Sequence, residues 1–230
     1  MENIYGKITT LQRALELFGN DMTIMFGGFG GVGSPPTIIE GIVNKGLKNL
    51  TLIGNDTGFP EIGIGKIVSR GMAKKIIVSH IGSNPLAGQY MTEGKLEVEF
   101  CPQGILAERI RAGGIGLGGV LSDIGFDIEV VAKEKPCVQF NGKNYLIESA
   151  LTGDVSIIYA QKADPFGNLV YDKSARNTNP LIAMAGDLTI VEVEEIVPLG
   201  SLNPEEIVTP GIFVDRIIQS QGVDWKWAWE

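Results

Sequence analysis

The 230-residue sequence predicts an α/β fold: a mostly parallel open sheet with helices on both faces and a small β-rich insertion. Three observations carry that expectation. Short apolar runs alternate with segments of helical periodicity along most of the chain, the pattern of strand–helix–strand units. Glycine, at 31 residues, is scattered between those segments as punctuation and forms no low-complexity tract. Residues 128–149 break the pattern, with short apolar runs interrupted by Lys135-Pro136 and Asn141-Gly142.

In order along the chain, Thr9 or Thr10 caps a first helix. Leu11, Ala14, Leu15 and Phe18 fall on one side of it, and Gly19-Asn20 stops it. Thr23-Ile24-Met25-Phe26 is a short strand ending in glycines. Residues 36–45 form a helix that opens on Pro36 and ends before Gly46. Strands follow at 50–53, 75–78 and 96–100. Gln103 starts a helix that Gly113-Gly114 stops. Asn141-Gly142 joins 138–140 to 145–147 as a hairpin, because both turn positions want positive φ. Strands at 155–160 and 188–193 flank a helix at 180–185. No linker divides the body and no repeat of fixed period stands out. One domain is expected over 1–222, with a tail at 223–230 that holds Trp225, Trp227 and Trp229. Their alternation suits an extended segment with one face buried, either on the chain's own surface or on a partner.

Composition removes several functions. Nineteen Lys and Arg against 27 Asp and Glu give a net charge of −8, without the basic footprint of a nucleic-acid or anionic-membrane binder. Cys101, Cys137 and the lone His80 cannot furnish a Cys/His zinc site, so no metal is expected. The first residues lack a basic stretch followed by an apolar one. The uncharged run 22–39 is broken by glycines and prolines, so a cytoplasmic protein is expected.

The sharpest local feature is Gly27-Gly28-Phe29-Gly30-Gly31-Val32-Gly33-Ser34-Pro35-Pro36, between a strand and a helix. Gly28, Gly30 and Gly33 match G-x-G-x-x-G, and Asp56 after the next strand could serve as a ribose acid, which is the dinucleotide reading of an oxidoreductase. Another phosphate-bearing ligand would suit the same turn, since helix N-termini favour anions. A tight turn with no ligand is the third reading. The helix ahead of the strand and the Pro35-Pro36 opening weigh against the dinucleotide.

Six blocks resemble family I CoA-transferases, in the family's order. They are Ile24-Met25-Phe26-Gly27-Gly28-Phe29 through Gly33-Ser34-Pro35, then Leu52 through Gly58, and Ser79-His80-Ile81-Gly82-Ser83-Asn84-Pro85. Pro102-Gln103-Gly104 leading into Ala107 through Gly114 is the most specific. Ser174-Ala175-Arg176-Asn177-Thr178-Asn179-Pro180 and Val191 through Val197 complete the set. The pattern is most similar to α subunits of the bacterial short-chain enzymes that use acetate, butyrate or acetoacetate. Asp21 departs from the family's usual Gly or Asn, at a turn of no catalytic weight.

The resemblance implies transfer of CoA from an acyl-CoA to a carboxylate, by ping-pong chemistry through a glutamyl-CoA thioester. The family's nucleophilic glutamate lies in a Ser-Glu-Asn-Gly block of the β half, and these 230 residues contain no such block. A β subunit partner is therefore implied, in an α2β2 assembly. CoA and acyl-CoA would be substrates, with no tightly bound cofactor. Gln103, at a strand-to-helix junction, is implied to donate from its neutral amide to a substrate carbonyl or carboxylate oxygen. Gly27, Gly28, Phe29, Gly30, Gly31, Val32 and Gly33 would form the CoA-side loop. Asn55 and Asn84 are candidate lining residues, although asparagine at such positions also caps loops. Arg176 could hold a carboxylate or a CoA phosphate, or brace the subunit. Lys66, Arg70, Lys74 and Lys75 form a local basic cluster, read as a solvated helix face or as a contact for CoA phosphates. Glu108 and Arg111 are spaced as a helix-surface pair.

Overall fold

The computed structural model describes residues 3–225. Helix α1 (Leu11–Leu15) is capped by Thr10, which accepts from the Arg13 amide. The sequence pattern runs on to Phe18, but the chain leaves the α-helix after Leu15 and closes with tighter turns. Lys45 Nζ donates to the Leu15 and Phe18 carbonyls there. Strand β1 (Thr23–Phe26), helix α2 (Pro36–Lys45) and strand β2 (Leu50–Ile53) follow as the sequence predicts. Gly46 ends α2 in the left-handed region that glycine tolerates.

Helix α3 (Gly65–Ser69), strand β3 (Ala73–Val78), helix α4 (Pro85–Thr92), strand β4 (Glu97–Phe100) and helix α5 (Gln103–Gly114) complete the first half. The sequence did not announce α3 or α4. The first has five residues and opens on glycine, and the second buries only Ala87 fully, so neither shows an apolar stripe. The insertion begins at Gly119, earlier than the composition change at 128. It comprises β5 (Gly119–Ser122), α6 (Glu129–Ala132), β6 (Cys137–Phe140) and β7 (Lys143–Ser149), paired antiparallel in the order β5-β7-β6. Asn141 and Gly142 both take positive φ at the hairpin.

The chain then returns to the main sheet through β8 (Gly153–Ala163), the short β9 (Leu169–Val170), α7 (Asn179–Ala185), β10 (Gly186–Ile196) and β11 (Arg216–Gln219). Two apolar residues are all that marked β11. The main sheet runs β11-β10-β8-β1-β2-β3-β4, all parallel, with β9 antiparallel on β8. Strand alternation builds two cores. Ile24, Phe26, Leu52, Ile76 and Ile157 pack with α1 to α4 on one face. Met25, Ile53, Ile77, Ile158 and Val191 pack with α5 and α7 on the other. Each fully buried aliphatic side chain contributes about 1.5–3 kcal/mol of transfer free energy.

The first residues of the expected tail lie on the body. Asp224 pairs with Lys66 at 2.6 Å, and Trp225 sits edge-on to Tyr159 at 5.5 Å. Trp227 and Trp229 lie outside the described residues. Among the described residues no helix is long and apolar enough to cross a membrane.

Candidate functional site

Because β1 to β4 and β8 run the same way, their carboxyl ends meet along one rim, where open α/β sheets place ligands. A cavity of about 700 Å³ opens there. Phe29, Gly30 and Val32 line it from the loop after β1, and Asn55, Asp56 and Phe59 from the loop after β2. Ser79, His80 and Ser83 follow β3, Gln103 starts α5, and Lys173, Ser174, Arg176 and Asn177 close the last side.

Two loops at this rim are built alike. Phe29 and Val32 exchange backbone hydrogen bonds at 3.0 and 3.1 Å, and Phe59 and Ile62 bridge in the same manner. Both sit in a Gly-Phe-x-x-aliphatic-Gly frame, at 28–33 and at 58–63. Asp56 ties them together. It accepts from the Gly30 amide at 2.9 Å on one oxygen and from the Gly58 amide at 2.7 Å on the other.

The glycines of the first loop answer mainly to the chain itself. A Cβ on Gly27 would lie 1.7 Å from Asn179 Oδ1, and one on Gly33 would lie 2.3 Å from the Ala175 carbonyl. Gly31 faces Ile62 at 2.5 Å, whereas Gly30 meets nothing nearer than a Phe59 carbon at 3.8 Å. Asn177 Oδ1 accepts from the Gly28 amide at 3.1 Å, and its Nδ2 donates to the Val32 carbonyl at 2.9 Å. Asn179 Nδ2 donates to the Gly33 carbonyl at 2.9 Å. Of the predicted loop, Phe29, Gly30 and Val32 face the cavity, while Gly27, Gly31 and Gly33 are fixed by packing.

The N-terminus of α2 is already occupied by a carboxylate of the chain. Pro35 has no side chain with which to cap it. Glu192, from the centre of β10, accepts from the Thr37 amide at 2.8 Å, the Ile38 amide at 3.2 Å and the Thr37 hydroxyl at 2.7 Å. Ser220 Oγ donates to it at 2.6 Å. Burial pushes the Glu192 carboxyl above the ordinary carboxylate value, against these hydrogen bonds, which favour the ionised form. The dinucleotide reading reserves this helix end for a pyrophosphate and Asp56 for a ribose. Both places hold internal contacts instead, which corrects that reading.

Gln103 points into the rim from the first residue of α5. Its Nε2 donates to Asn55 Oδ1 at 2.8 Å, and Asn55 Nδ2 donates to Asp56 Oδ2 at 2.7 Å. Ser79 Oγ donates to the Asn55 carbonyl at 2.8 Å. Asn55 and Gln103 thus meet at the cavity wall. Asn84 does not line it. Asn84 is fully buried at the start of α4 and donates to the Thr57 carbonyl at 3.2 Å, so it braces the second loop from behind.

Other sequence candidates divide clearly. Arg176 lies on the cavity wall and pairs with no carboxylate among the described residues. The basic cluster is neither one helix face nor part of the cavity. Lys66 pairs with Glu40 and Asp224, Arg70 with Glu61, Lys74 with Asp21, and Lys75 on β3 with Glu97 and Glu99. Glu108 and Arg111 form the expected helix-surface pair at 2.8 Å. Burial pushes the Cys101 thiol up, and Cys137 is exposed on the insertion. Among the described residues no cluster of three or more His, Cys, Asp or Glu could hold a metal ion. Sequence reasoning passed over Asn177, Asn179, Glu192 and Phe59. The repeated Gly-Phe-x-x-aliphatic-Gly frame was the one visible signal for Phe59.

Comparison with known proteins agrees with this geometry. The coenzyme A transferase family profile matches residues 8–220. A Bacillus subtilis protein named "Probable coenzyme A transferase subunit alpha" is 56% identical over 226 residues, covering 98% of this chain and 99% of its own length. The acetate CoA-transferase subunit alpha of Escherichia coli is 47% identical, covering 94% and 97%. Relatives at 43–44% identity carry names for acetoacetyl-CoA:acetate/butyrate, succinyl-CoA:3-ketoacid and 3-oxoadipate transfer. In fold, the chain matches a crystal structure of an E. coli O157:H7 acyl-CoA transferase, a thioester complex with CoA, at a TM-score of 0.86 and 24% identity. That match covers 96% of this chain and 48% of the other, so this chain spans about half its length. Residues 8–220 and the full-length relatives lead to one assignment: the chain belongs to the coenzyme A transferase family, as an α-type subunit.

Proposed function

We propose that this chain is the α half of a heteromeric short-chain acyl-CoA:carboxylate CoA-transferase whose nucleophilic glutamate comes from a β subunit. One observation carries the reading. Among the described residues, Asp56 is the single carboxylate that lines the cavity, and both its oxygens are committed to N–H donors of the chain. A neutral donor, Gln103, stands at the same rim. The cavity is equipped to polarise a carbonyl, and its described residues offer no free carboxylate to attack it.

The chemistry then divides between two chains. The partner's glutamate attacks the thioester carbonyl, the C–S bond breaks, and CoA is expelled as thiolate, which leaves a mixed anhydride of the glutamate and the acyl group. The thiolate attacks the glutamyl carbonyl of that anhydride, releasing the first acid and leaving a glutamyl-CoA thioester. The acceptor acid reverses the two steps. Each step builds negative charge on a carbonyl oxygen, to which the remaining Nε2–H of Gln103 would donate. CoA is a substrate here, and no tightly bound cofactor is required. The acetate and acetoacetate/butyrate relatives support a short-chain acid, and an α2β2 assembly fits a two-chain site.

The test is purification of the protein from its source cells, with mass analysis of the copurifying chain and an acyl-CoA:acetate exchange assay. A partner of similar size carrying Ser-Glu-Asn-Gly, together with exchange, is the expected result. In that complex Gln103→Ala should lower kcat/KM by about tenfold or more, the order of one lost oxyanion donor. A homomeric protein without exchange would overturn the proposal.

A further inference from the structure

We propose that Asp56 is a positioning residue: through Asn55 it fixes which way the Gln103 amide is turned, and so presents an N–H to the substrate oxygen. The inference rests on the transferase reading above.

The argument is one of hydrogen-bond polarity. Asp56 receives three N–H groups, from Gly30, Gly58 and Asn55 Nδ2, at 2.7–2.9 Å. A carboxylate that only accepts demands the NH2 end of Asn55. The Asn55 amide is therefore turned with Oδ1 away from Asp56, toward Gln103. Oδ1 can only accept, so Gln103 must offer Nε2, which it does at 2.8 Å. Every link has one permitted direction. One Nε2–H of Gln103 remains for a ligand. A reversed amide would present Oε1 there, and an acceptor would repel a developing oxyanion.

Burial makes this polarity costly to reverse. Asn55 and Asp56 are 4% and 5% exposed, so an acceptor facing an acceptor between them would find little water to relieve it. The same carboxylate clamps both rim loops through Gly30 and Gly58, which is why a single substitution at Asp56 would confuse two roles. Asn55→Leu separates them. It removes the relay and leaves both glycine amides on Asp56.

The experiment uses the complete complex with its partner. Wild-type exchange activity is the control on the functional reading, and its absence overturns that reading. In an active complex, Asn55→Leu and Asp56→Asn should each lower kcat by about tenfold or more, with KM for acyl-CoA changed less than about twofold in Asn55→Leu. In a Gln103→Ala background Asn55→Leu should cost less than about twofold more, because the relay acts only through Gln103. Full additivity, or an effect confined to KM, would overturn the relay and leave the transferase reading intact. An inert Gln103→Ala would do the same. Should Asp56→Asn fail to fold, Asn55→Leu decides alone. A second readout is independent of turnover. The side-chain amide signals of Gln103, identified by their loss in Gln103→Ala, should shift in Asn55→Leu; unmoved signals overturn the relay.

Discussion

The loops at 28–33 and 58–63 share a frame and differ in how many glycines they contain. Between its framing glycines the first has Phe29-Gly30-Gly31-Val32, and the second has Phe59-Pro60-Glu61-Ile62. Both close on a Phe-to-aliphatic backbone bridge, and both hang an amide on Asp56. The first takes positive φ at Gly28, Gly30, Gly31 and Gly33, the second at Gly58 and Gly63. The first is also overlaid by 174–179, whose Asn177 and Asn179 amides hydrogen-bond to it and whose Ala175 carbonyl leaves no room for a Cβ on Gly33. Glycine content therefore follows backbone twist and close neighbours. It is a poor guide to which loop meets a phosphate.

Substitutions ordered by the closeness of the neighbour can break that comparison. Gly33→Ala combines φ +76 with a Cβ 2.3 Å from a backbone carbonyl, and should destabilise the protein by about 3 kcal/mol or more in urea unfolding. Gly63→Ala meets the movable Ser34 Oγ at 2.5 Å, and a loss of about 2 kcal/mol is expected. Gly30→Ala has only its φ of +57 to oppose it, for about 1 kcal/mol. Gly30→Val should in addition raise KM for acyl-CoA, since this residue faces the cavity; an unaltered KM in a folded complex would return the loop to a purely structural role. At the bottom of the series Glu61→Gln removes a 3.7 Å exposed pair with Arg70 and should change stability by less than about 0.5 kcal/mol. Equal losses at Gly33 and Gly30 would show that twist alone selects glycine, with no contribution from the overlying segment 174–179.

Much of this was legible in the sequence because it is local. The strands at 23–26 and 50–53 carry apolar runs, Pro36 and Gly46 bracket α2, and Gln103 announces itself at a strand-to-helix junction. The insertion was visible through Asn141-Gly142. What stayed hidden is long-range. Glu192 sits in an apolar strand, and nothing nearby says that it caps a helix 155 positions away. Asn84 and Asn55 look equivalent as letters after a strand, yet one is sealed behind the loop and the other reaches the cavity. Asn177 and Asn179 were in plain view in their block, but their partners belong to the loop after β1.

The middle of the main sheet carries a consequence for how the chain is made. β1 lies between β2, a near neighbour in sequence, and β8, whose Asp154 receives the Thr23 amide across 131 positions. On the ribosome, β1 to β4 emerge first and can pair among themselves, while the other side of β1 stays an open edge until 153–163 has been synthesised. The helix cap from Glu192 and the contacts of 174–179 on the glycine loop come later still. The rim thus closes late in synthesis, and an unpaired apolar edge in the meantime is a natural target for chaperones and for misassociation.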